Sequence, residues 1–261
     1  MNNQFVGDIG DYTKLGMLLE LERAGFTIGI NWYWTPDNPT KTGGIHTDYL
    51  DDKRCGKRER DRPDPDLFSF LHDIRIKRTR SQTVDTLLSL FNQNSTVDYR
   101  ARMDFSVTQQ CIRQQREIWH NDALKALSSK DIVFLDPDNA LQAKSDPYDA
   151  KDGHLYVAYK EAADYYDDKA TVIIYNHLPI KSKKQYFINN RLRPIFKHIK
   201  ISPDNVFCIE APRRSVRYYL IVAQPNHRDL IQQVLHKMID LDKPGWRNYL
   251  LDVSQLLRYG E

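Results

Sequence analysis

The chain has 261 residues, with 38 Lys and Arg against 35 Asp and Glu, and a net charge of +3 creates no overall field that requires a polyanionic partner. Cys55, Cys111 and Cys208 match no metal or redox spacing, which excludes a disulfide framework and favours a reducing compartment. No apolar run approaches a membrane span and the first residues lack a signal-peptide pattern. We therefore expect a single cytoplasmic domain over residues 1–261, with no membrane partner.

The first predicted elements are a helix and a buried strand. Apolar residues from Leu15 onward suit a helix that begins near Asp11, whose carboxylate would cap it, and that ends at Gly25. Residues 26–34 are mostly apolar and aromatic, which is typical of a buried strand. Residues 35–66 form a long irregular basic insertion, and loops of that length are usually functional or mobile.

The middle of the chain alternates between helical and extended patterns. Residues 131–135 and 170–175 are short apolar runs that end in polar residues, as central parallel strands do. A helix around residues 158–168 lies between them and would complete a βαβ unit. The other predicted segments are helices near 66–76, 82–93 and 107–127 and a short strand near 98–106.

The last third predicts a basic helix over about 181–199 and two strands, 205–210 and 217–223, joined by a basic turn. Asn226 would cap a final helix, with Asp229 at the third position as in a capping box. Strands that alternate with helices and then form a hairpin predict the α/β class. The expected sheet is doubly wound and mostly parallel, with a C-terminal antiparallel hairpin.

The sharpest motif is Asp136-Pro137-Asp138-Asn139, directly after a strand that reads as central. Carboxylates at that place can accept a proton, hold a cation or accept a hydrogen bond from a ligand amine. The alternative is a loop that caps the next helix, because Asp, Pro and Asn are common in turns. Ligands of such sheets bind at the carboxyl ends of strands, so Asn31–Trp34, Asp136–Asn139 and Tyr175–His177 should face one cleft.

Three further groups of residues are candidates for this cleft. The glycines around Gly7 allow close backbone approach to a ligand, and Lys14 could reach an anionic group, although a simple helix cap is equally compatible. His177 could be a base or a metal ligand, or a structural hydrogen-bonding residue. In the run Trp32-Tyr33-Trp34 one face should pack in the core, and the other could stack an adenine or a base, or pack under a helix.

Basic residues are bunched on this near-neutral background. These basic clusters could bind the phosphates of a nucleic acid, or they could be solvated loops and helix faces. They lie at residues 53–60, 75–80, 181–184 and 213–217.

The order of motifs resembles the large-subunit ribosomal RNA adenine-N6 methyltransferases of the J type. Gly7, Asp11 and Lys14 match the Gly, Asp and Lys of the stretch that opens those enzymes, and Phe134–Asn139 occupies the place of their Asp-Pro-Pro-Tyr motif. Ile174–His177 and residues 205–239 are similar to a downstream strand and to the closing hairpin and helix. The chain also resembles an uncharacterised bacterial and phage group that shares Gly-Asp-Ile-Gly-Asp and Phe-Leu-Asp-Pro-Asp-Asn.

The resemblance implies a class I methyltransferase-like, three-layer fold with S-adenosylmethionine near the strand ends and an adenine amine as methyl acceptor. Asp136 and Asn139 would hold the acceptor amine with assistance from Lys14, and Asp138 and His177 complete the predicted catalytic set. The cofactor would lie near Gly7, Asp8, Asp11, Asn31, Trp32 and Tyr33. The chain departs from the family at its glycine-rich turn and at the second Pro and the aromatic of the catalytic motif.

Two other hypotheses fit these departures. In the first, Asp136 and Asp138 hold Mg²⁺ or Mn²⁺ for phosphodiester cleavage, together with His177 or with Asp8 and Asp11. In the second, the scaffold is non-catalytic and binds a nucleotide, a nucleic acid or a protein.

Overall fold

The computed structural model describes residues 3–35, 46–51, 62–102, 109–143, 148, 152–179, 181–240 and 245–258. The strands are β1 (Ile28–Asn31), β2 (Thr96–Tyr99), β3 (Ile132–Leu135), β4 (Ala140–Leu141), β5 (Tyr156–Val157), β6 (Thr171–His177), β7 (Val206–Ala211), β8 (Arg217–Val222) and β9 (Leu251–Asp252). The α-helices are α1 (Ile9–Arg23), α2 (Pro65–His72), α3 (Val84–Leu88), α4 (Gln109–Leu127), α5 (Tyr159–Asp167), α6 (Lys184–Phe187), α7 (Ile195–His198), α8 (Arg228–Ile239) and α9 (Gln255–Arg258).

Seven strands form one sheet in the order β2-β1-β3-β6-β8-β7-β9. The pairs β1–β2, β1–β3 and β3–β6 are parallel, whereas β8 is antiparallel to both of its neighbours, β6 and β7. Strand β9 is antiparallel to β7, and β4 and β5 form a separate two-stranded sheet. The predicted fold class is confirmed: the protein is α/β, with a doubly wound, mostly parallel sheet and a C-terminal antiparallel hairpin.

Helices cover both faces of the sheet, which gives three layers. Side chains alternate along each strand, so Phe134 of β3 packs with α1, α2 and α8, whereas Leu135 packs with α4 and α5 on the other face. All four residues of β3 are fully buried, as expected for a central strand whose two faces are both covered.

Helix α1 begins earlier than the sequence predicted. Its N-cap residue is Asp8, whose Oδ1 accepts hydrogen bonds from the backbone N of Gly10 (2.7 Å) and Asp11 (3.1 Å). Asp11 lies inside the first turn, and its Oδ2 accepts from the backbone N of Gly7 at 2.7 Å. The prediction that Asp11 caps the helix is therefore wrong. Gly7, at φ 84°, turns the chain so that Asp8 precedes the first turn.

The predicted basic helix over 181–199 is interrupted. Helix α6 continues into a π-helical turn, Ile188–Leu192, and α7 follows only after Pro194. The backbone N of Arg193 donates to Ile188 O at 2.9 Å, which is an i to i−5 bond. Proline lacks the N–H that a continuous helix needs, so the chain forms two short helices here.

The last helix is not capped by Asn226. Helix α8 begins at Arg228 with His227 at the N-cap position and without a side-chain cap. The backbone N groups of His227 and Arg228 both donate to Gln224 O, at 2.9 and 3.1 Å. The helix therefore begins one residue later than an Asn226 cap would place it, and the Asp229 carboxylate contacts Arg228.

The predicted insertion over 35–66 falls largely outside the described residues, and the basic cluster 53–60 lies there entirely. Within the insertion, the structure describes a short 3-10 turn at Asp48–Leu50 and the start of α2 at Pro65. Across the described ranges, no helix combines the length and the apolar character needed to cross a membrane.

Candidate functional site

Backbone hydrogen bonds hold the carboxyl ends of three neighbouring strands together. Asp136 N donates to Asn31 O at 2.9 Å, which links the ends of β3 and β1, and His177 N donates to Asn139 O at 2.7 Å. The chain leaves β1 for β2 on one side and returns to β3 on the other, so this edge contains the topological switch of the sheet. Open α/β sheets bind their ligands at such an edge.

Lys14 of α1 joins this edge through a buried ion triplet. Its Nζ lies 2.8 Å from Asp136 Oδ2 and 2.9 Å from Asp11 Oδ1. Its ammonium also lies 5.6 Å from the ring centroids of Trp32 and Tyr175. Lys14 is 3% exposed and Asp136 2% exposed, so both charges are shielded from water and interact more strongly than a surface pair would.

Burial and charge act on the three groups in opposite ways. Burial raises the pKa of the Asp136 carboxyl, although Lys14 lowers it, and the pKa of Asp11 is raised for the same reason. Burial lowers the pKa of Lys14, but the charges of Asp11 and Asp136 outweigh it and raise that pKa well above its ordinary value. The ammonium therefore stays charged at neutral pH.

Arg217 is a member of this charge cluster that sequence reasoning missed. It is 3% exposed, its Nη2 lies 3.7 Å from Asp8 Oδ2, and its Nε donates to Tyr175 Oη at 3.1 Å. The signal in the sequence was the basic run 213–217, but only the pairing of β6 with β8 shows that Arg217 faces the site. The cluster holds the carboxylates of Asp8, Asp11 and Asp136 against the cations of Lys14 and Arg217.

The remaining predicted catalytic residues lie at the carboxyl ends of β3 and β6. Asp138 Oδ2 accepts a hydrogen bond from Thr35 Oγ1 at 2.9 Å, so the two aspartates of the motif have different partners. Asn139 is fixed through its backbone, since its N donates to Leu155 O at 3.0 Å, while its side chain is half-buried.

His177 is half-buried at the end of β6, opposite Arg217 of β8. Burial lowers the pKa of its imidazole to about 4, and the positive charge of Arg217 contributes to the shift. His177 is therefore neutral at pH 7 and can both donate and accept a hydrogen bond.

The predicted cofactor contacts around β1 are largely committed to the protein interior. Asn31 Nδ2 donates to Tyr165 Oη at 3.1 Å, and Trp32 Nε1 donates to Asp98 Oδ2 at 3.1 Å. Tyr33 donates its hydroxyl to Glu161 Oε2 at 2.9 Å on the opposite face of the sheet from Lys14. All three are fully buried, so in this conformation a ligand would meet the end of β1 through backbone atoms.

Tyr33 adopts the left-handed conformation, with φ 45°, where the methyltransferase resemblance would place a glycine-rich turn. Its backbone N donates to Asn31 Oδ1 at 3.2 Å, and its ring packs against Trp119 in the core. A left-handed non-glycine residue costs about 1–3 kcal/mol, which burial of the ring can offset.

The contacts bear directly on the divalent-metal hypothesis. The ammonium of Lys14 already lies between Asp11 and Asp136, where a cation bound by both would sit. In the part of the chain that the structure describes, no group of three or more His, Cys, Asp or Glu is arranged to hold a metal ion.

The described basic clusters differ in their contacts. In the cluster 213–217, Arg213 stacks on Tyr249, Arg214 pairs with Asp48, and Arg217 is buried in the site. In the cluster 75–80, Lys77 and Arg80 both lie near Asp73. In the cluster 181–184, Lys184 pairs with Glu210.

The structure is a three-layer α/β fold with a buried charge cluster at the switch point of its sheet. No family model matches the sequence, and no curated protein matches it. Among solved structures, the chain is similar to protein LPL1258 from Legionella pneumophila str. Philadelphia 1, described under family-model DUF519. The two are 15% identical, with a TM-score of 0.46, over 95% of this chain and 96% of the other. A likeness at this level says nothing about activity.

Proposed function

We propose that this protein binds S-adenosylmethionine at the switch-point edge and transfers its methyl group to an exocyclic amine of a nucleic acid. The observation that carries the proposal is the buried Lys14–Asp136 ion pair at the carboxyl end of β3, 2.8 Å between Nζ and Oδ2. It supports methyl transfer because a fixed carboxylate at this edge is suited to accept a hydrogen bond from an amine.

The carboxylates of Asp8, Asp11 and Asp136 at this edge also favour a ligand that carries a positive charge, such as a sulfonium or an ammonium. When bound, S-adenosylmethionine would supply a methyl group on a positively charged sulfur.

Asp136 would orient the acceptor amine by accepting one of its hydrogens, and Asn139 would accept the other through its side-chain carbonyl. The proton that the acceptor nitrogen gives up on methylation would pass to the Asp136 carboxylate or to water. Lys14 holds that carboxylate in place through its ion pair.

The depth of the site sets a condition on this chemistry. Asp136 and Lys14 are 2% and 3% exposed, so a substrate can contact them only after neighbouring segments move apart. Such opening steps commonly accompany substrate binding in enzymes that exclude water.

Calorimetry with S-adenosylmethionine, combined with a methyl-transfer assay on an adenine-containing oligonucleotide, tests the proposal. We expect cofactor binding in the wild type and in Asp136→Asn, with transfer reduced by about 100-fold or more in that variant. Asp131→Asn is the matched control, because Asp131 lies at the opposite end of β3 from Asp136. Its carboxylate accepts hydrogen bonds from the backbone N and the hydroxyl of Thr27. Absence of binding heat at millimolar cofactor would reject the proposal.

A second candidate, a non-catalytic nucleotide- or nucleic-acid-binding scaffold, is favoured by one observation. The side chains of Asn31, Trp32 and Tyr33 all make internal contacts, so none of them is free to bind a cofactor at the end of β1.

A melting-temperature screen separates the candidates. A ligand that binds the folded protein, at 100 times its dissociation constant, raises the free energy of unfolding by about 2.7 kcal/mol. Stabilisation by nucleotides alone would favour the non-catalytic binding protein. Stabilisation by Mg²⁺ or Mn²⁺ would favour the metal-dependent nuclease.

A further inference from the structure

The segment that follows β6 presents an exposed aromatic ring among positive charges and amides. Tyr186 is 66% exposed, and Lys181, Lys183 and Asn190 are also exposed. We call these four residues the Tyr186 surface. Among the residues that the structure describes, neither Lys181 nor Lys183 forms an ion pair with a carboxylate. Both side chains are exposed to solvent.

Two of these residues belong to the start of α6. Lys183 is the N-cap residue, with extended backbone (φ −73°, ψ 135°), and Tyr186 lies three residues later within the helix. Asn190, in the following π-helical turn, donates from Nδ2 to the backbone O of Tyr186 at 2.9 Å.

The surface is anchored to the core. Phe187 and Ile188 are buried directly after Tyr186, and the Phe187 ring stacks on Tyr218 with centroids 5.7 Å apart. Helix α6 is therefore held in place while Tyr186 faces solvent.

The surface also lies near the candidate site. Lys181 follows the end of β6 by four residues, and Leu178 N is tied to Val216 O at 2.9 Å. His177, the last residue of β6, bonds Asn139 of the catalytic motif through its backbone.

We propose that the Tyr186 surface binds single-stranded nucleic acid, with a base stacked on Tyr186 and phosphates held by Lys181 and Lys183. This inference rests on the proposed function and deepens it, because it names the form of the substrate. Stacking needs a base whose face is open, which a duplex does not offer within its helix. One aromatic ring with charged neighbours is too small an apolar area to hold a lipid surface.

Fluorescence anisotropy with labelled RNA and DNA strands of about 12 nucleotides, single-stranded or paired with a complement, tests this surface. We expect Tyr186→Ala to weaken single-strand binding by about 10-fold and Tyr186→Phe to keep it within about twofold, because the ring alone provides stacking. Replacing Lys181 and Lys183 with Ala should lower the slope of log Kd against log salt by about 1.4.

Lys200→Ala is the control for charge, because Lys200 is exposed and precedes β7 at the opposite edge of the sheet. The inference is overturned if Tyr186→Ala binds single strands as the wild type does. It is also overturned if duplex binding falls equally in that variant, or if Lys200→Ala matches the double lysine variant. Calorimetry with S-adenosylmethionine on the same samples separates the two proposals. If S-adenosylmethionine does not bind but single strands do, the methyltransferase proposal is rejected and the proposal for the Tyr186 surface is kept.

Discussion

The ammonium of Lys14 lies between two buried carboxylates, and each of the three groups depends on the other two. Removing Lys14 would leave Asp11 and Asp136 facing each other without a cation, and an uncompensated buried charge costs about 3–5 kcal/mol. The same arrangement that positions Asp136 for an amine therefore also contributes to the fold. Activity measurements on Lys14 variants have to be paired with stability measurements for this reason.

His177 gives a prediction at the residue scale. Its folded pKa of about 4 lies below the ordinary value of 6.5, so its contribution to stability is present above pH 6.5 and is lost as the pH falls toward 4. We expect the melting temperature of the wild type to fall more steeply across this window than that of His177→Gln. The exposed His236, changed to Gln, is the control. Parallel curves for wild type and His177→Gln contradict the assignment.

Asp136 and Lys14 were predicted at the site from short stretches of sequence. Asp136 directly follows a strand, where ligands of parallel sheets bind, and Lys14 belongs to a spaced motif. The sequence could not reveal Arg217, which reaches Asp8 only because β8 pairs with β6 rather than with β7 alone. It also left open whether the second face of the Trp32-Tyr33-Trp34 run stacks a ligand or packs under a helix, and the structure places the Tyr33 ring in the core under α4 and α5.

At the scale of elements, α1 is the helix that carries the site, and its packing explains one of its glycines. Asp8, Asp11 and Lys14 all come from its first turns, so any shift of the helix moves three of the five charged groups. On its other side, Gly16 lies directly under the ring of Trp246, which also contacts Tyr12. The absence of a side chain at Gly16 sets how closely the helix approaches this ring.

We expect Gly16→Ala to destabilise the protein by about 1–3 kcal/mol, although alanine is the better helix former by about 1 kcal/mol. A Cβ at this position would lie 2.2 Å from Trp246 Cη2, and that ring is buried. Urea unfolding measures the effect. In a Trp246→Phe background the smaller ring leaves room, so the same substitution should cost less. Equal costs in both backgrounds would show that the ring is not the cause.

Element boundaries show where prediction from sequence ends. The existence of β3, β6 and the β7–β8 hairpin followed from short apolar runs with turn residues between them. The break at Pro194 was open to prediction, because a proline inside a helical pattern ends or kinks the helix, but a single basic helix was predicted. The turn around Gln224 depends on backbone hydrogen bonds that composition does not reveal, so an Asn226 cap was predicted instead.

At the scale of the whole molecule, the sheet separates two cores with different polar content. The core under α1 adjoins the charge cluster, whereas the core under α4 and α5 contains a closed network around Arg116 and Glu161. Arg116 Nε and Nη2 donate to the two Glu161 oxygens at 2.7 and 2.9 Å, and its remaining donors reach the carbonyls of Tyr148, Gly153 and Tyr156. The network joins α4 and α5 to the segment that precedes β5.

We expect Arg116→Met to cost about 3–5 kcal/mol, because it leaves the buried Glu161 carboxylate without its cation. The double variant with Glu161→Gln should be less destabilised than the single one, since no charge is then left unpaired. Arg113→Ala, an exposed change one turn earlier, should stay within about 0.5 kcal/mol. Chemical denaturation measures the free energy of unfolding of all three variants. A double variant less stable than Arg116→Met would contradict this explanation.

The position of β8 between β6 and β7 has a consequence for synthesis on the ribosome. When residues 171–177 leave the exit tunnel, β3 has already emerged and can pair with one edge of β6, but the strand that covers the other edge has not been made. The nascent chain must therefore carry an open, apolar strand edge until residues 217–222 emerge, which is the kind of segment that chaperones protect. Codons between these two strands would set how long that exposure lasts.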